Sequence, residues 1–170
     1  MEMRDVFLKD GTFTGLTIEK HTPMQKGWYL LHAIIIMRTA DGQYVMQQRS
    51  LKARYSPGEW DVTGGGVISG ETSAQAAVRE ACEEVGVTVE PENLRHMLRE
   101  IHYWGEDYGM ICDTYAAQVE LPEGGFRIAE YEVNDVKCVP FEEFLDTVTY
   151  NKSEAFYEML KKVEKELGTN

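Results

Sequence analysis

The chain has no long apolar run. Its longest, Tyr29 to Met37, is interrupted by His32 and falls far short of the roughly 20 residues that a membrane-spanning helix needs, so no membrane role is expected. The first ten residues, Met1 to Asp10, are charged and carry no apolar core of the secretory type, which predicts a cytoplasmic protein. Cysteine is scarce. Cys82, Cys112 and Cys138 are odd in number, lack CxxC spacing and lie among apolar neighbours, a pattern of buried free thiols in a reducing compartment rather than of disulfides. Basic residues are outnumbered, 17 Lys and Arg against 29 Asp and Glu, for a formal net charge of -12 and a sequence pI near 4.8. Broad electrostatic capture of nucleic-acid polymers or anionic lipid needs the opposite surface. A small anionic substrate would therefore have to be met by metal ions or by a local basic patch. Internal repeats, low-complexity tracts and linkers are also absent, which predicts one domain over residues 1–170.

What is present is ordinary for a globular domain: 170 residues, 43% hydrophobic and 27% charged, enough for one real core. The opening reads as a β-hairpin, Asp5 to Lys9 and Thr12 to Glu19, turning at Asp10-Gly11. Tyr29 to Arg38 and Gln43 to Arg49 read as central strands joined at Ala40-Asp41-Gly42. A basic loop, Ser50 to Gly58, feeds a short strand, Trp60 to Thr63, and a glycine run, Gly64 to Gly66, leads into a helix. Further strands are expected at Met97 to Trp104, Gly109 to Val119 and Asp135 to Val139, the last after an acidic segment, Glu130 to Asp135. A short helix from Pro140 to about Thr147 follows, then a C-terminal helix from about Lys152 to Leu167. The class is α/β in the α+β sense.

The helix after the glycines carries the chemistry. Thr72 with Gln75 three residues on signals its start and Gly86 its end, about three to four turns. Glu80, Glu83 and Glu84 stand at i, i+3 and i+4, within about one-third of the circumference, so their carboxylates can converge. Ala74, Val78, Ala81, Cys82 and Val85 form another face, which aims the acids away from the core. Repelling carboxylates at this spacing destabilise an exposed helix unless cations occupy them. Oxygen ligands of this kind suit Mg²⁺ or Mn²⁺, which keep several waters and accept phosphate oxygens. The plainer alternative is a solvated acidic face on which Arg79 pairs with Glu83 at i+4.

The wider pattern decides between the two. Gly65, five residues, Glu71, seven residues, Arg79-Glu80, then Glu83-Glu84, Val85, Gly86 and Val87 match the Nudix box in spacing and type, and the chain resembles the Nudix superfamily. With about seven fixed positions, a chance match is on the order of 10⁻⁷ to 10⁻⁸ per starting point. Ala81 stands where that family more often has Leu, Ile or Val. Gln47-Gln48-Arg49-Ser50, Lys52, Pro57-Gly58, Trp60-Asp61 and the strand with His32 are also similar to the branch akin to isopentenyl diphosphate isomerase.

The resemblance implies a mixed β-sheet sandwiched between helices, with the N-terminal hairpin appended. It implies hydrolysis of nucleoside diphosphates linked to another group, NDP-X, by water attack on phosphorus with Mg²⁺ or Mn²⁺. Glu80, Glu83 and Glu84 would be metal ligands, joined by the Gly64 or Gly65 carbonyl. Arg79 and Glu71 would support the helix, with Gly65 and Gly86 shaping its ends. A box glutamate such as Glu80 or Glu83, or a later Glu130 or Glu132, would act as base. Arg49 and Lys52 would meet phosphates, with Arg54 beside them. Trp60 and Tyr103, like Tyr29, Trp104 and Tyr108, could stack on a base, although strand aromatics are more often core. His32 reads as structural. A homodimer would be in keeping with the superfamily, the hairpin being a candidate surface.

Two other classes compete. The isomerase uses a cysteine and metal-binding histidines near the box, and the corresponding stretch here, Thr63-Gly64-Gly65-Gly66-Val67, has neither. A non-catalytic nucleotide-binding module would have little reason to keep the box glutamates, and all are kept. The pattern leaves the X group unnamed.

Overall fold

The computed structural model describes residues 2–150 and 153–168, so the expected start of the last helix at Lys152 lies outside the described residues. In chain order the elements are β1 (Met3–Phe7), β2 (Phe13–Glu19), β3 (Tyr29–Thr39), β4 (Tyr44–Arg49), β5 (Trp60–Asp61), β6 (Thr63–Gly66), α1 (Ser73–Val85), β7 (Arg95–Gly105), β8 (Tyr108–Val119), β9 (Val133–Val139), α2 (Phe141–Thr147) and α3 (Glu154–Leu167).

The hub is β3, whose near-continuous apolar sequence suits a strand covered on both faces. Ala33, Ile35 and Met37 point to one face and pack, with Tyr115 and Ala117, against Ala76, Ala77, Ala81 and Val85 of α1. Ile34 and Ile36 point to the other, where Phe144 of α2 and Phe156, Leu160 and Val163 of α3 close a second core. The sheet is thus sandwiched between helices, with the β1–β2 hairpin at one side, as expected.

One edge of β3 runs parallel with β8 along its whole length, from Tyr29 opposite Gly109 to Thr39 opposite Val119. The other edge is shared by three strands in succession. β1 pairs at Val6 with Leu30, β6 pairs from Gly66 with His32 to Thr63 with Ile35, and β4 meets β3 only at Arg38 with Tyr44. From there β4 diverges and pairs instead with β5 and β9. The sheet therefore splits, and β6 lines the split.

That arrangement corrects the reading of the glycine run. Gly64 to Gly66 are strand rather than lead-in loop, and the single strand expected from Trp60 to Thr63 is two. Local propensity disfavours glycine in strands, but here only glycine fits: a Cβ at Gly64 would lie 2.8 Å from the Ile34 Cα. Smaller shifts are that β1 and β7 begin two residues early, at Met3 and Arg95. Likewise β9 begins at Val133, taking in part of the acidic segment.

Candidate active site

The caps of α1 are as the sequence predicts. Thr72 and Gln75 form a capping box, and Gly86 ends the helix in the left-handed region at φ 74°. The facing of the helix is not as predicted. Its buried stripe is Ser73, Ala76, Ala77, Glu80, Ala81, Glu84 and Val85, while Cys82 and Glu83 are exposed. The wheel expected all three glutamates outward and Cys82 inward. The glycines explain the difference: a Cβ at Gly65 would collide with the Glu80 carboxylate, so β6 provides a trough into which α1 presses an acid.

Each box residue then has a distinct place. The Arg79 guanidinium is held in a fork by Glu71, at 2.9 and 3.0 Å, and reaches Glu80 at 2.7 Å, Glu83 at 3.1 Å and the Gly66 carbonyl at 3.3 Å. The expected Arg79–Glu71 support is therefore formed. Glu83 is drawn to Arg79 on the solvent side, which is the pairing that a plain acidic helix face would also show. Glu84, 5% exposed, accepts hydrogen bonds from the Gly64 N–H at 3.0 Å and from Gln47 Nε2 at 2.7 Å.

The third acid comes from outside the helix. Oxygen atoms of Glu80, Glu84 and Glu132 all lie within 4.8 Å of one another. Glu132 is presented by the segment before β9, which is laced to the end of α1: the Arg127 and Ala129 amides donate to the Val85 and Glu84 carbonyls at 3.2 and 3.1 Å. Those are carbonyls that a helix end leaves unpaired. The Ser50 amide ties the Glu132 carbonyl to the preceding loop at 2.8 Å. Glu130, two residues earlier, is exposed and outside the cluster.

Burial pushes both helix carboxyls upward, that of Glu84 well above the usual range and that of Glu80 above it despite Arg79. The mutual charges of the three acids push the same way. Glu80 and Glu84, desolvated and this close, are stabilised when a hard cation is bound or when they take up protons. The donor set is all oxygen, two carboxylates on α1 and a third on the turn before β9, and fits Mg²⁺ or Mn²⁺.

Next to this cluster, with Gly64 on the shared wall, is a cavity of about 240 Å³ lined by His32, Arg49, Tyr55, Asp61 and Tyr150 among others. Of the expected substrate contacts, Arg49 is there, its Nε donating to the Tyr55 carbonyl at 3.0 Å. Three others are not. Lys52 is exposed on the loop, and Trp60 is partly buried with the Lys137 ammonium 4.6 Å from its ring centre. Tyr103 packs edge-on to Tyr29 at 6.3 Å, with Lys9 over its ring. His32, read as structural, is among the residues that line the cavity.

Sequence reasoning assigned no role to Gln47, Asp61 or Tyr150. Gln47 had a signal, a polar side chain after the apolar run Tyr44 to Met46; it is 1% exposed and its Nε2 also donates to the Val62 carbonyl at 3.2 Å. Asp61 and Tyr150 meet only in the fold, where the Tyr150 amide donates to Asp61 at 3.0 Å. The three cysteines are free, Cys112 buried, Cys138 half-buried and Cys82 exposed.

A NUDIX domain model matches residues 28–160. Nudix hydrolase 3 of Arabidopsis thaliana is 30% identical over 150 residues, which make up 82% of this chain and 19% of that protein. The chain thus spans less than a fifth of that relative's length. The isopentenyl-diphosphate Delta-isomerase of Cutibacterium acnes is 30% identical over 145 residues, 80% of this chain and 70% of that one. Among solved structures, a Deinococcus radiodurans protein superposes with a TM-score of 0.69 at 20% identity, covering 95% of this chain and 99% of that chain, and so shares the fold.

Proposed function

Because the chain belongs to the Nudix family, we propose that it is a divalent-metal-dependent pyrophosphohydrolase that cleaves NDP-X compounds by water attack on phosphorus. The observation that carries this reading is the convergence of Glu80, Glu84 and Glu132 beside the β6 glycines. Glu80 and Glu84 would hold Mg²⁺ or Mn²⁺, with the Gly64 backbone close by and Glu83, borne by Arg79, at the rim. The metal would supply charge neutralisation at the phosphoryl oxygens and a more acidic water.

The chain's own groups do the rest. Gln47 and the Gly64 amide fix the Glu84 carboxylate from behind, and Arg79 fixes Glu80, so neither must reorganise during reaction. Glu132 is the exposed member of the three and would take a proton from the attacking water, in preference to Glu130, which is exposed and outside the cluster. Arg49, in the adjoining cavity, offers the positive charge that an acidic protein otherwise lacks. A small diphosphate compound, rather than a polymer or a membrane, suits a cavity of this size. A cytoplasmic setting agrees with three unpaired cysteines. Self-association would use the exposed edge strand β2, with light scattering as its check.

The test is a panel of NDP-X compounds assayed with Mg²⁺, with Mn²⁺ and with chelator. Turnover is expected only with metal, and Glu84→Gln should lower kcat by about a hundredfold or more with the fold retained. Full activity in that variant would sink the metal assignment. The similarity to an isomerase makes isopentenyl diphosphate part of the panel, and double-bond migration without phosphate release would replace the hydrolase reading. Ligand binding with no turnover would mark a non-catalytic module.

A further inference from the structure

The metal-site reading leaves unused a group of donors on the cavity side of the sheet. Arg4 of β1 is 9% exposed, and its Nη1 is buried with no hydrogen-bond partner among the described residues. Its place follows from register. Val6 pairs with Leu30, so two residues back Arg4 lies level with His32, where β6 has taken over the pairing through Gly66. The guanidinium lies over Gly66, whose missing side chain leaves the room, since a Cβ there would collide with it. Gly64, His32 and Ile34, all cavity-lining, share that face with Gly66 by the two-residue repeat of a strand.

A second unpartnered group stands nearby. His102 of β7 has its Nε2 buried without a partner among the described residues, and its ring lies edge-on to that of Tyr150, 5.9 Å away, which lines the cavity. Between the two is His32. Burial, then the positive fields of Arg4, His102 and Arg49, push its pKa down to about 4, so it is neutral at physiological pH. Arg49 and Asp61 line the cavity itself, and Arg4 stands behind that wall, close enough to act on the His32 that lines it, in a protein of net charge -12. The ion pair of Arg4 with Glu2, which Lys20 shares at 2.9 Å, occupies only Nη2 and leaves Nη1 unexplained.

We propose that this cavity is an anion subsite in which Arg4, delivered by the N-terminal hairpin, and Arg49 hold the phosphoryl group of the substrate diphosphate farther from the carboxylate cluster. A guanidinium matches phosphoryl oxygens in a way a point charge does not, and two of them grip without needing the metal. The subsite deepens the hydrolase reading and rests on it for the identity of the ligand.

Inorganic pyrophosphate is the probe, titrated calorimetrically into the full chain in chelator so that the carboxylate cluster cannot hold it through metal. Arg4→Met should bind at least about tenfold more weakly than wild type. In turnover, Arg4→Met should raise KM by a similar factor and change kcat less than about threefold, a split that a purely structural ion pair would not give. Absence of metal-free binding by wild type, or equal affinity and KM in Arg4→Met, overturns the subsite. Hydrolysis failing while Arg4-dependent binding persists would overturn the hydrolase reading alone. Should Arg4→Met not fold, a crystal structure of wild type with pyrophosphate decides: the anion within hydrogen-bond distance of Arg4 supports the subsite, and placement elsewhere overturns it.

Discussion

Asp61 is a carboxylate whose ionisation the fold resists. It is 8% exposed at the cavity wall and accepts the Val62 and Tyr150 amides on one oxygen at 2.8 and 3.0 Å, yet burial outweighs those bonds and pushes its pKa from 3.8 up to about 6. The folded chain therefore keeps a proton that the unfolded chain has lost between those values. Stability from this residue is full below the unfolded pKa, falls as pH rises to about 6, and is flat beyond, a difference of about 2–3 kcal/mol. Asn at this position keeps an oxygen for both amides and carries no charge. Asp61→Asn should raise Tm at pH 7.5 and flatten the slope between about pH 4 and pH 6 relative to wild type. Glu80 and Glu84 add slope of the same sign to both proteins, so the comparison isolates Asp61, and parallel pH profiles would count against it.

Helix α1 shows which features of an element are local and which are not. Thr72, Gln75 and Gly86 satisfy the helix's own amides and carbonyls, so they were legible in sequence. The helix's rotation is set by what it packs on. The spacing of Glu80, Glu83 and Glu84 permits convergence without saying which two face inward, and the answer lies in the β6 glycines, whose strand role depends on β3. Glu132 was legible only as one of two acids before a strand; the lacing of its segment to the α1 carbonyls singles it out. Arg4 had no signal, because its role comes from a register match between β1 and β6 across β3. Gly86 is where element and site meet. An alanine there would be held at positive φ with its Cβ 3.0 Å from Arg127, so Gly86→Ala should cost about 1–2 kcal/mol in urea unfolding. It should also lower turnover by shifting the Arg127 to Glu132 segment, and wild-type stability would show that this cap tolerates a side chain.

At the scale of the whole molecule, layers and core were legible because β3 and α3 carry their periodicities plainly, while the split of the sheet was not, being a matter of which strand takes which edge. The split places two buried acids from α1 and one exposed acid from the β9 side at one point, so a cation held there as proposed would be linked to folding. Mg²⁺ or Mn²⁺ at about a hundred times its Kd should stabilise the protein by about 2.7 kcal/mol, read as a rise in Tm that Glu80→Gln with Glu84→Gln abolishes. An undiminished rise in that double variant would move the metal elsewhere.

The single pairing of β3 with β4, at Arg38 and Tyr44, makes the sheet a book of two leaves stitched at one point of the spine. Gly64 and Arg4 belong to one leaf, Gln47, Arg49 and Glu132 to the other or its margin. A compound of the proposed kind would have to reach from one leaf to the other. Selection among such compounds would then be a matter of length as well as of chemistry: a molecule too short to span the opening leaves one page unread.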